Sequence, residues 1–155
     1  ISTLVGDNFV NGGLVPATSA ASVQHSPRLR FPWAEVLETM EAAPADGDGS
    51  KTVVYCSPSD GSPLTPTLDA RAIALVSGQD TVKRRTTSNA IAIVLDGEGV
   101  SEIGLQKIQW GPKDVLTLPH WTWISHQSES DVSHMIVISY REMLTKLNLF
   151  REEVI

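Results

Sequence analysis

The stretch LPHWTWISH, residues 118–126, gathers the side chains in this sequence that could take part in metal chemistry. It places His120 and His126 beside Trp121 and Trp123. Imidazole nitrogens bind iron, copper and zinc, and indole rings form walls against which aromatic ligands pack. His134, on a following β-prone segment, is a further possible ligand. The stretch therefore indicates a metal site or a pocket with the architecture of one.

Other kinds of function have little support in the sequence. The serines form no GxSxG motif, Cys56 has no sequence-visible His partner, and no glycine-rich phosphate loop occurs. The DGDG stretch at 46–49 lacks the remaining ligands of a calcium loop. A formal net charge of -6, with one cationic cluster at 83–85, argues against a nucleic-acid partner.

Cysteine usage and hydropathy predict a soluble, cytoplasmic protein without a membrane partner. The single Cys56 cannot form an internal disulfide, and the longest apolar run, AIAIVL at 90–95, is too short to span a bilayer.

The elements that must position these side chains are mostly β-strands. Residues 1–30 show no sustained periodicity and predict an extended arm or linker, which leaves residues 31–155 as a single domain. The spacing of Trp33, Val36, Leu37 and Met40 predicts an amphipathic helix over about 32–43. Nine short β-prone segments separated by glycines follow, and REMLTKLNLF predicts a C-terminal helix.

One predicted strand, NAIAIVL, carries apolar residues on both faces. Small Ala90 and Ala92 alternate with Ile91 and Ile93, so one face lines a space that must stay open and the other is strongly apolar. Either a second domain or subunit covers the outer face, or the terminal helices of this chain do.

Several segments resemble the cupin family, and in particular the C-terminal cupin half of gentisate 1,2-dioxygenases and their salicylate and hydroxynaphthoate relatives. They are TVKRRTTSNAIAIVLDGEG, IQWGPKDVLTLPHWTWISH and LNLFREEV, with SPRLRFPWAEV and PLTPTLDA upstream. The resemblance implies a mainly β fold, a cupin (double-stranded β-helix or jelly-roll) barrel. An N-terminal arm and one amphipathic helix would precede the barrel, and a C-terminal helix would follow it.

The cupin motifs implied by this resemblance bind a metal through three His and one Glu, and the matching positions here are changed. Counting from Gly97 and Pro119 places those positions at Lys83, Arg85, Ala90 and Ile124. Ammonium, guanidinium and alkyl side chains are not iron(II) ligands at neutral pH. The alignment predicts that this chain holds no metal.

Lys83 and Arg85 admit two interpretations. If they point inward, they could bind an organic carboxylate, with Trp123 or Trp121 as an aromatic wall and His126 as a pocket residue. Otherwise they pair with acids such as Asp96 or Glu98, or turn toward an interface. A metal site rebuilt from His126 and His134 is a further alternative.

The resemblance thus implies a non-catalytic C-terminal cupin half, inactive alone, within an iron(II)-dependent ring-cleaving dioxygenase for aromatic compounds. Its expected partner is the N-terminal cupin of the same protein, which would hold the iron through three His, in a homotetramer. The alternative is a stand-alone cupin that binds a small anionic aromatic ligand.

Overall fold

The computed structural model describes residues 28–155, so His25 and most of the predicted arm lie outside the described residues. Two five-stranded antiparallel sheets face each other, which confirms the predicted mainly β fold. The strands are β1 (Lys51–Val54), β2 (Asp69–Val76), β3 (Arg84–Thr86), β4 (Ala90–Asp96), β5 (Gly99–Ile103), β6 (Gln106–Trp110), β7 (Val115–Leu118), β8 (Ile124–Ser128), β9 (Val132–Ser139) and β10 (Glu152–Val154). The helices are α1 (Trp33–Ala42) and α2 (Arg141–Lys146). Neither of these two helices, within residues 28–155, has the length and apolar character that a membrane crossing requires.

The core lies between the sheets, whose strand orders are β1-β2-β9-β4-β7 and β10-β3-β8-β5-β6. Alternate strand residues supply it because successive side chains point to opposite faces. Each fully buried large apolar side chain contributes roughly 1.5–3 kcal/mol. The buried members are Leu75, Ala92, Val94, Trp110, Leu116, Leu118 and Met135.

Helix α1 covers one part of the outer surface, as its periodicity predicts. Val36 and Met40 are buried against Ala72 and Ala74 of β2, whose small side chains let the helix approach closely. The helix begins after Pro32 and ends at Ala42, within one residue of the predicted limits.

Two predicted elements are partly wrong. The C-terminal helix ends at Lys146 because Asn148, with φ of 57°, adopts the left-handed conformation, and the chain then forms strand β10 against β3. One of the nine β-prone segments of the sequence is WTWISH, residues 121–126, but its strand begins only at Ile124, since Trp121 has φ of 51°, which a strand cannot accommodate.

The outer face of the first sheet is apolar beyond the edge of helix α1. Ile91 lies opposite Ile138 and Ile93 lies opposite Ile136, with Val115 on the adjoining strand. Ile91 is 39% exposed and Val115 is 59% exposed. Helix α1 packs on β1 and β2, so the helices of residues 28–155 do not cover this surface, which we call the outer isoleucine face.

Candidate functional site

A cavity of about 470 Å³ lies between the two sheets. It is lined by the inward side chains of strands from both sheets, together with residues that follow β9. Its apolar wall consists of Ile73, Ala90, Leu118, Ile124, Val137 and Phe150. Three arginines, Arg71, Arg84 and Arg141, also line it.

The cations at 83–85 do not point as the cavity interpretation of Lys83 and Arg85 predicted. Arg84 and Thr86 line the cavity, whereas Lys83 and Arg85 lie on the outer side of the second sheet. The two residues do share a face, but it is the other face, because motif counting cannot determine which of two alternating sets points inward. Lys83 Nζ lies 2.6 Å from Glu102 Oε2, rather than near Asp96 or Glu98, and this hydrogen bond lowers the pKa of Glu102.

Arg85 is held between two tryptophan rings outside the cavity. Its Cζ lies 4.5 Å from the centre of the Trp121 ring and 4.6 Å from that of Trp123. Its Nε donates to Glu153 Oε2 at 2.8 Å, which joins β3 to β10. Trp123 therefore contacts Arg85 and is not among the residues that line the cavity, contrary to its predicted role as a pocket wall.

His126 lines the cavity, and its hydrogen bonds determine its tautomer. Trp110 Nε1 donates to the fully buried Ser101 Oγ at 2.9 Å, and Ser101 Oγ lies 2.6 Å from His126 Nδ1. The Ser101 hydroxyl has no other acceptor among the described residues, so it donates to Nδ1 and the imidazole proton resides on Nε2. Burial, and then the charge of Arg84, lowers the pKa of His126 to about 4. The ring is therefore a neutral donor through Nε2.

The other histidines do not converge with His126. His134 lies on the outer side of the first sheet, where Nδ1 is 2.8 Å from Asp96 Oδ1 and the ring contacts Trp33. His120 is exposed, and its Nδ1 lies 2.7 Å from the Thr87 carbonyl oxygen, to which it donates. The alternative of a metal site that combines His126 and His134 is therefore wrong, because the two imidazoles lie on different sides of the first sheet.

The described residues do not fit an iron(II) ion. Ala90 and Ile124, at two of the expected ligand positions, line the cavity without a donor atom, and the inward side chains of β3 are Arg84 and Thr86. Across residues 28–155, no three His, Cys, Asp or Glu side chains are grouped so that they could hold a metal ion. A single imidazole beside a guanidinium is a poor iron site, because the fixed positive charge repels the metal.

Two charged clusters of the cavity, each around one carboxylate, were not predicted from the sequence. Arg71 Nε is 3.0 Å from Asp69 Oδ2, and Ser139 Oγ donates to the other oxygen of Asp69. Glu152 lies between two cations, with Oε1 at 3.3 Å from Arg84 Nη1 and Oε2 at 3.6 Å from Arg141 Nη2. The alternation of Asp69, Arg71 and Ile73 along β2 was the signal available, since it places two charges on the inward face of an apolar strand.

Comparisons with known proteins agree with this architecture. No protein-family model matches the chain. It is 29% identical over 133 residues to 5-aminosalicylate 1,2-dioxygenase of a Comamonas species, covering 82% of this chain and 35% of that protein. It is 26% identical over 156 residues to gentisate 1,2-dioxygenase 1 of Aquipseudomonas alcaligenes, covering 95% and 44%.

Solved structures show the same fold. Salicylate 1,2-dioxygenase from Pseudoaminobacter salicylatoxidans superposes with a TM-score of 0.79 at 20% identity, over 96% of this chain and 43% of that one. A cupin-2 domain from Rhodospirillum rubrum gives a TM-score of 0.50 at 18% identity, over 59% of each chain.

The two facing sheets and the cavity between them are those of the cupin fold. In sequence, the chain is similar to one part of the 5-aminosalicylate, 1-hydroxy-2-naphthoate and gentisate 1,2-dioxygenases. It spans about a third to under half of the length of the relatives that it matches.

Proposed function

We propose that this chain is the non-catalytic C-terminal cupin half of an iron(II)-dependent, ring-cleaving dioxygenase of the gentisate type. In this proposal, residues 1–30 are an arm or linker, and residues 31–155 are one domain that packs against the N-terminal cupin of the same protein. The N-terminal cupin supplies the iron site, and the whole cytoplasmic enzyme is a homotetramer.

The cavity chemistry is the observation that carries this proposal. Arginine, threonine, alanine and isoleucine occupy the inward positions where a cupin would need imidazoles and a carboxylate. Because the relatives named as dioxygenases are more than twice as long as the matched region, a second cupin in each could hold the metal.

The outer isoleucine face supports a structural role. Contiguous exposed apolar surface on one sheet is typical of an interface with another domain or subunit. An assembly that buried this face would gain roughly 25 cal/mol for each Å² of apolar surface removed from water.

Metal analysis of the full-length protein tests the proposal. We expect the intact protein to contain iron and to consume O₂ with gentisate or salicylate, and His126→Asn to leave iron content unchanged. The isolated chain should contain no stoichiometric iron and show no turnover. Turnover by the isolated chain, or loss of iron in the His126→Asn protein, would contradict the proposal.

A second candidate function is that of a stand-alone cupin that binds a small anionic aromatic ligand. The cavity with its three arginines favours this candidate, although the residues that the sequence suggested for it, Lys83, Arg85 and Trp123, lie elsewhere. The coding sequence upstream of Ile1 separates the two candidates, because a second cupin there with intact metal ligands favours the structural role.

A further inference from the structure

The cavity brings together three guanidinium groups from distant parts of the chain. Arg71 comes from β2, Arg84 from β3 and Arg141 from the first position of α2. Burial, and then the positive charge of Arg71, lowers the pKa of Arg141, while Glu152 and Asp69 oppose this shift. Arg141 therefore lies near a second guanidinium, and its ion-pair partner Glu152 is 3.6 Å away.

Four carboxylates also line the cavity, and three of them accept hydrogen bonds from protein donors. Asp69 and Glu152 form the pairs described above, and Asp46 is exposed. Asp48 accepts from Ser50 and from the Val82 amide, and although burial opposes it, these hydrogen bonds lower its pKa.

The guanidiniums retain donors that the described residues do not satisfy. Each ion pair uses one nitrogen, which is Nε of Arg71, Nη1 of Arg84 and Nη2 of Arg141. Within residues 28–155, the other two nitrogens of each group have no hydrogen-bond acceptor on the protein. Guanidinium forks match carboxylate oxygens, so an organic anion is the complement of this arrangement.

The rest of the cavity specifies what the anion must carry. The apolar wall, which includes Ile124 and Val137, requires an apolar body, and a volume of about 470 Å³ accommodates a small aromatic or aliphatic acid. His126 Nε2–H has no protein acceptor among the described residues. It is therefore available to a ligand oxygen.

We propose that this cavity binds a small carboxylate with an apolar body. The carboxylate lies among Arg71, Arg84 and Arg141, the body packs on the apolar wall, and a further oxygen of the ligand accepts from His126. A cationic ligand would lie beside three guanidiniums, while Asp48, Asp69 and Glu152 already accept from protein donors. A neutral ligand would form no charge-assisted hydrogen bond with the guanidiniums. This inference rests on the second candidate function and deepens it, but it also holds for the cavity of a non-catalytic half.

Benzoate, salicylate and the neutral benzyl alcohol are suitable probes in isothermal titration calorimetry of the chain. We expect saturable benzoate binding, tighter binding of salicylate because its hydroxyl oxygen reaches His126, and at least tenfold weaker binding of benzyl alcohol. Arg84→Gln should weaken benzoate binding at least tenfold. Lys83→Gln removes the same charge from the neighbouring position on the outer face and should change it less than twofold.

The folded state of each variant is checked by circular dichroism, and Arg84→Lys replaces Arg84→Gln if the latter does not fold. The lysine variant keeps the charge but loses the fork, so benzoate binding should still weaken. Absence of saturable benzoate binding by the folded wild-type chain, or equal effects at Arg84 and Lys83, would overturn the inference. Iron content and O₂ consumption of the full protein are separate measurements, so the structural role is judged independently.

Discussion

Arg84 and Arg85 are neighbours in the sequence, but they have different roles because strand side chains alternate between faces. Arg84 enters the cavity, while Arg85 lies between Trp121 and Trp123 and pairs with Glu153. A planar guanidinium can contact two rings and a carboxylate at once, which an ammonium cannot do equally well. Arg85 therefore stabilises the contact between β3, β10 and the segment before β8 that carries Trp121 and Trp123.

Removing Arg85 should destabilise the domain more than removing Lys83. We expect Arg85→Ala to lower the free energy of unfolding by about 1–2 kcal/mol, since two cation–π contacts contribute roughly 0.5–1 kcal/mol each. Lys83→Ala, the control, loses only an exposed pair and should cost less than about 0.5 kcal/mol. Urea unfolding followed by tryptophan fluorescence measures both, and equal effects would contradict the structural role of Arg85.

Burial of His126 should make stability depend on pH. The folded-state pKa is about 4 against 6.5 for an unperturbed imidazole, so above pH 6.5 the ring is neutral in both states. Between pH 6.5 and 4 the unfolded chain binds a proton that the folded chain excludes, and stability falls by up to about 3 kcal/mol.

Asn at position 126 supplies an acceptor for Ser101 but does not titrate. Urea unfolding at pH 7.5, 6 and 4.5 should therefore show a steeper loss of stability for the wild-type chain than for His126→Asn. Parallel pH profiles would indicate that the imidazole is not buried as described.

At the scale of the element, the turn between β4 and β5 depends on two glycines. Gly97 has φ of 79°, and a Cβ there would collide with the side chain of Ser133. At Gly99, a Cβ would collide with the Trp110 ring, the donor to Ser101. The turn therefore places β4 and β5 close to Ser133 and to Trp110, which donates to the Ser101 hydroxyl beside His126.

Alanine at Gly97 should cost more than alanine at Gly78. Gly78 has φ of 81° with no atom within 4 Å of the position that a Cβ would take, so its substitution introduces only left-handed strain, about 1–2 kcal/mol. Gly97→Ala adds the collision with Ser133, which overpacking data place at roughly 1–3 kcal/mol more. Thermal or urea unfolding gives both values, and equal losses would rule out a close approach at Gly97.

At the scale of the whole molecule, the two sheets have different outer surfaces. Helix α1 covers β1 and β2, whereas the outer isoleucine face extends over β9, β4 and β7 without cover from the described helices. This face adjoins no part of the arginine cavity, because inward and outward residues of β4 alternate. Assembly and ligand binding can therefore be altered separately.

A charge on the outer isoleucine face should weaken association. We expect Ile91→Lys to reduce self-association of the chain, which sedimentation velocity measures. It should likewise reduce copurification of the chain with the rest of the protein. Its effect on the free energy of unfolding should be small because Ile91 is 39% exposed. Leu105→Lys, at a fully exposed turn position of the other sheet, is the control and should leave association unchanged.

Much of the fold could be predicted because its signals are local. The 3.6-residue spacing from Trp33 to Met40 predicted helix α1, and short β-prone segments separated by turn residues predicted β2, β4 and β9. Strand β10 could not be predicted, since EEV has no apolar alternation and is ordered by its pairing with β3, more than sixty residues away. The free energy that orders β10 therefore comes from its tertiary contacts.

The candidate site, like the fold, was predicted from the sequence only in part. The sequence by itself determined that His126 shares a face with Ile124, because alternation within a strand is a local property. The family resemblance implied that Ala90 and Ile124 line the barrel, and they do. Only the tertiary structure decided that Arg84 rather than Lys83 and Arg85 points inward, and that Arg71, Arg141 and Glu152 meet it there. The reason is physical: the choice between two faces of a strand depends on long-range pairing and core packing, and the local sequence of β3 contains no information about either.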